Sequence, residues 1–123
     1  MQERAQFEIS ALVIESLKAG LVGADDTLLN ELLSNQKQVE DLLISYHFRS
    51  RGRVYNVRID KPVLNDDGSG FFNVRYSIGH FNACADVDTS EDERMKIQFE
   101  VNLQTGILFL VGEFIPEREP DEF

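Results

Sequence analysis

The hydrophobic positions change period once along the chain. From Gln2 to Leu21, Phe7, Ala11, Ile14, Leu17 and Leu21 recur at steps of three and four. That spacing places side chains on one face of a helix and predicts one over this stretch, ended by Gly20 and Gly23. A second stripe follows, Leu28/Leu29, Leu32/Leu33, Gln36, Val39, Leu42/Leu43 and Tyr46, with Asp25 or Asp26 placed to cap its first turn. The short link between the two predicts an antiparallel helical hairpin.

Beyond Phe48 the period falls to two. "RVYNVRID" reads as a strand with Tyr55, Val57 and Ile59 on one face, and "LNDDGSG" has the chemistry of a hairpin connection. A long strand then runs from Phe71 towards Val87. Phe72, Val74, Tyr76 and Ile78 alternate, while Phe81, Ala83, Ala85 and Val87 are out of phase with them. One extra residue at Gly79-His80 would restore the phase, which predicts a bulge there. "TSEDER" reads as a charged loop, "MKIQFEVNL" as a strand facing Met95, Ile97, Phe99, Val101 and Leu103 inward, and "QTG" as a three-residue hairpin with Gly106 in the left-handed conformation.

The predicted fold class is therefore α+β: an N-terminal helical hairpin on one face of a curved, four-stranded antiparallel meander sheet, in two layers. Residues 1–115 form a single domain, and 116–123 an acidic, flexible tail. In outline this looks like a reduced cystatin-like or NTF2-like cone, a likeness of fold that transfers no function.

The last strand, "ILFLVGEFI", is apolar on both faces. With a three-residue loop, Ile107, Phe109 and Val111 join the core, leaving Leu108, Leu110 and Phe114 outside; a two-residue loop exchanges the sets. An uncovered apolar stripe of that kind marks an interaction surface or a ligand groove.

Charge sharpens that picture. The chain of 123 residues carries a net −10. Five cations against Asp60 give His47 to Lys61 a net +4, which leaves −14 on the remainder. A surface this acidic disfavours nucleic acid and membranes and steers basic partners inward. The acidic run Asp86, Asp88, Glu91, Asp92 and Glu93 joins Leu108, Leu110 and Phe114 as the expected partner interface. The expectation is a cytoplasmic homodimer or a binder of another, basic protein, of the size and charge of immunity proteins, inhibitors and secretion chaperones, with no catalytic activity evident.

Candidate chemistry is sparse. His80 beside a bulge is a weak candidate for a general base, and Tyr76, His80 and Phe81 would stand at the mouth of a small-molecule pocket in the alternative reading. Cys84 lies four residues from His80, roughly 13 Å along an extended strand, too far to form a pair. "DVDTSEDE" has Glu91 where a calcium loop needs Gly and Ile97 where it needs Glu, so no metal or cofactor is expected. Arg49, Arg51 and Arg53 share one strand face and form a candidate anion grip, set against their pairing with the chain's surplus carboxylates.

Overall fold

The computed structural model describes residues 2–20, 23–47, 52–65, 67–82 and 87–114, and of residues 80–82 and 87–89 the strand backbone alone. Among these residues three helices, α1 (Ala11–Lys18), α2 (Ala24–Ser34) and α3 (Gln36–His47), pack on six strands: β1 (Arg4–Glu8), β2 (Arg53–Ile59), β3 (Val63–Leu64), β4 (Ser69–Asn82), β5 (Val87–Asn102) and β6 (Ile107–Val111). The strands form one antiparallel sheet in the order β1-β6-β5-β4-β2, with β3 against the start of β4, curled into a half-barrel. This overturns the four-stranded meander with a helical hairpin: the fold is mostly sheet.

Each departure has a local cause. The expected first helix opens as β1, where Arg4, Gln6 and Glu8 point to solvent and Ala5 and Phe7 turn inward. Phe7 satisfies either period, and pairing with the flank of β6 selects the extended form. The long second stripe breaks at Asn35 into α2 and α3. Asn35 turns its backbone to φ −112° and ψ 28°, while its amide N–H and side-chain Nδ2 both donate to the Glu31 carbonyl. Such local bonding competes with helix continuation.

The predicted bulge at Gly79-His80 does not occur. β4 and β5 pair in unbroken register from Ser69↔Glu100 to Asn82↔Val87. Phe81 stays in register opposite Asp88 and Val87 opposite Asn82, Ala83 and Ala85 lie outside the described residues, and "TSEDER" is strand within β5. The irregularity sits instead in β2, between Tyr55 and Arg58, where Asn56 takes φ 55°. It sends Val54, Val57 and Ile59 inward and leaves Tyr55 exposed, rather than aligning Tyr55 with Val57.

At the β5–β6 corner the loop holds four residues, Leu103 to Gly106. The Asn102 side chain accepts the amide protons of Gln104 and Thr105 at 2.9 and 3.1 Å, and Gly106, at φ 74°, donates to the Asn102 carbonyl. Val101 therefore faces Leu108 and Phe99 faces Leu110. Leu108 and Leu110 are buried completely, and the outward set is Ile107, Phe109 and Val111.

The core lies between helices and sheet: Leu28, Leu32, Val39, Leu42 and Leu43 meet Phe72, Val74, Ile97, Phe99, Leu108 and Leu110. The predicted inward rows of β4 (Phe72 to Ile78) and β5 (Met95 to Val101) are all buried.

Candidate functional site

β4 and β5 outrun their neighbours. On β4, pairing with β2 reaches Gly79, opposite Arg53. On β5, pairing with β6 stops at Gln98, opposite Val111, and one further bond joins the Lys96 amide to a Glu113 side-chain oxygen at 2.9 Å. Among the described residues, no strand pairs with β5 from Ser90 to Arg94 on the β6 side.

The direction of these backbone groups follows from two bonds. The Lys96 amide points towards β6, whereas the Val101 amide donates to the Gly68 carbonyl on the β4 side. Along a strand the N–H and C=O groups alternate sides with a period of two. Ser90, Asp92 and Arg94 therefore present their peptide groups to the open edge.

Acidic side chains stand on both faces of this edge. Glu91 and Glu93 lie opposite Ile78 and Tyr76, on the face that forms the core lower down; Asp92 lies on the other face and accepts the Ser77 hydroxyl proton at 3.0 Å. All three are exposed. Phe114, 67% exposed, stands just where β6 leaves β5. The structure thus gathers Glu91, Asp92 and Glu93 along one edge, and exposed Phe114 follows Glu113, whose side chain holds the Lys96 amide. It removes Leu108 and Leu110 from the surface, while Asp86 and the Asp88 side chain fall outside the described residues.

Below the edge sits a polar cluster that sequence reasoning missed. His47, at the end of α3, places Nε2 2.8 Å from the Tyr76 hydroxyl, their rings 5.5 Å apart and tilted. Burial pushes the Tyr76 phenol up to about 12, and the negative charge of Glu93 and Glu113 adds to the rise. Tyr46, one residue before His47, donates to the Glu113 carbonyl at 2.7 Å and accepts the Glu3 amide proton at 2.9 Å. Burial raises its phenol too. A tyrosine working as a base needs the opposite shift, so these hydroxyls fasten α3 to β1, β4 and the exit from β6. The available sequence signal was the Tyr46-His47 pair closing a helical stripe.

The remaining expected sites come together only in part. Tyr76 is 4% exposed, whereas the side chains of His80 and Phe81 fall outside the described residues, as does Cys84. Arg53 is exposed in β2, and Arg49 and Arg51 lie outside the described residues. No group of three His, Cys, Asp or Glu among the described residues could hold a metal ion. No helix among them is long and apolar enough to cross a membrane. On the outer sheet face, Phe71, Gln98, Phe109 and Val111 line an open groove of about 420 Å³, beside which Lys96 covers the Phe71 ring at 4.2 Å.

Comparison with known protein families, curated proteins and solved structures found no match.

Proposed function

We propose that this chain works by binding another protein of basic character, drawn in by its charge and seated along the acidic margin of the β4–β5 ribbon. The observation that carries this reading is the exposure of Glu91, Asp92 and Glu93 together on one strand margin, with exposed Phe114 next in the chain to Glu113, which bonds the Lys96 amide. Clustered charge of one sign raises association rates and suppresses partners of like charge. An exposed aromatic at the margin supplies apolar area that charge alone does not.

A second copy of the chain fits this margin poorly. Pairing two such edges would bring Glu91, Asp92 and Glu93 of each copy near those of the other, against one cation apiece, Arg94, and each like-charge contact costs about 1 kcal/mol at 4 Å in water. The reading therefore favours a partner of opposite charge over self-association through this edge.

The test is capture at low and high salt with the wild-type chain and the Glu91→Lys/Asp92→Lys/Glu93→Lys variant, after equal thermal stability has been established. Support is a partner that, once purified, binds the wild-type chain more weakly as salt rises and does not bind the variant. Equal retention by both chains, or affinity indifferent to salt, would sink the reading.

A further inference from the structure

We infer that the partner binds by strand addition: an extended, lysine- or arginine-bearing segment pairs with the backbone of β5 at Ser90, Asp92 and Arg94, continuing the sheet where β6 stops. This rests on the binding reading above and specifies its geometry.

Three independent features of this edge converge. Its backbone groups are aimed outward, as the directions of the Lys96 and Val101 amides require. Unpaired edges of this kind accept an added strand through main-chain bonds, with alternate side chains setting specificity. Its side chains favour a basic strand, since Glu91 and Glu93 flank one side of the incoming strand, with Asp92 beside Arg94 on the other. Finally, β6 departs beside it with Phe114 exposed, so an added strand would lie end to end with β6 and meet an apolar side chain at the junction.

The charge pattern also decides between occupants. Residues 116–123 of the same chain contain Glu117, Glu119, Asp121 and Glu122 against Arg118 alone, so they carry the same sign of charge as the edge and are repelled by it. The second copy is disfavoured by the same sign argument. A basic segment is the occupant that complements both the open backbone and its carboxylates. The same acids keep the edge from pairing indiscriminately, because they repel acidic strands and are left without a counter-charge beside neutral ones.

The probe is an acetylated, amidated octapeptide alternating Lys with Thr or Val, compared with the same sequence N-methylated at alternate residues so that charge is kept and the ladder is blocked. Amide hydrogen exchange of the full chain reads the site directly. Expected are slower exchange at Asp92 and Arg94 with the unmodified peptide alone, and affinity about tenfold weaker for the Glu91→Gln/Glu93→Gln variant. Ser90→Pro removes an edge-facing donor without touching charge or the β4 ladder, a position where proline is tolerated. It should weaken the peptide while leaving the thermal midpoint close to wild type.

If both peptides bind equally, or Asp92 and Arg94 exchange as fast with peptide as without it, strand addition is overturned and charge-steered binding stands. If the Glu91→Gln/Glu93→Gln variant binds the unmodified peptide as well as wild type does, the binding reading falls with it.

Discussion

Gly112 shows how one residue can fix the position of a whole helix. A Cβ added there would lie 2.5 Å from the Tyr46 hydroxyl and 2.7 and 2.9 Å from its ring carbons. Only a hydrogen at this position lets the ring lie against the strand and reach the carbonyl of Glu113. Gly112→Ala should therefore destabilise the fold by about 1–3 kcal/mol, the usual cost of forcing atoms into a packed interior; urea unfolding reads it. An unchanged midpoint would mean that Tyr46 is not held there. The two raised phenols make a second prediction. Folding keeps both Tyr46 and Tyr76 protonated above the ordinary value of 10.0, Tyr76 to about 12. Their contribution is complete below pH 10 and is lost as the pH rises towards 12. Urea midpoints measured across that window should fall steeply, and Tyr76→Phe should flatten the fall while costing about 0.5–1.5 kcal/mol at neutral pH for the lost bond to His47. A fall just as steep in the variant would assign the alkaline loss to other groups. None of this was readable in the sequence, because Tyr46 and Glu3 are brought together across 43 positions of chain.

At the scale of elements, β2 carries the sharpest test. Asn56 occupies the left-handed region at φ 55°, which side chains other than Gly and Asn adopt at a cost of about 1–2 kcal/mol. Asn56→Gly should be neutral or slightly stabilising, and Asn56→Val should lose about that amount or more in chemical unfolding. Equal behaviour of the two would show that β2 runs without its bulge. The sequence pattern pointed to an irregularity in β4, where Phe81 falls out of phase with Ile78, and read β2 as regular, with Tyr55, Val57 and Ile59 on one face. The structure reverses both: β4 and β5 pair in unbroken register, and the extra residue lies in β2, where Tyr55 is left exposed. Tyr55, Val57 and Ile59 alternate in the sequence as a regular strand would, so only the pairing partner reveals the extra residue. The helix break at Asn35 was hidden for a related reason: the apolar stripe continues through it, since Leu32 and Val39 both reach the core.

Over the whole molecule, an edge guarded by charge should misbehave when the guard is removed. Replacing Glu91, Asp92 and Glu93 together with Thr leaves strand propensity intact and uncovers an edge that can pair with its own kind. Light scattering should show larger species than wild type, growing with concentration. If the size distribution matched wild type, the acids would not be what controls pairing at this edge. Charge also acts globally, because the −10 of the chain repels itself in the compact state. Moving from low salt to about 0.15 M, where screening acts over about 8 Å, should raise the thermal midpoint. A midpoint that fell would show that attractive pairs such as Arg75 with Asp60 and Lys61 with Asp25 and Asp26 outweigh the repulsion.

Local spacing was sufficient for the inward rows of β4 and β5, for the apolar residues of α2 and α3, and for the left-handed Gly106, because each depends on neighbours within a few positions. The acidic character of the margin was equally a property of the string of letters. Three features depended on contacts that join distant segments. Arg4–Glu8 became a strand because β6 offered it a flank. Leu108 and Leu110 went into the core because the Asn102 side chain set a four-residue loop, and one residue of register exchanges the two faces of a strand. Among the described residues the margin of β5 has no strand beside it because β6 leaves the sheet before β5 does, a difference of length between paired strands that neither strand records by itself.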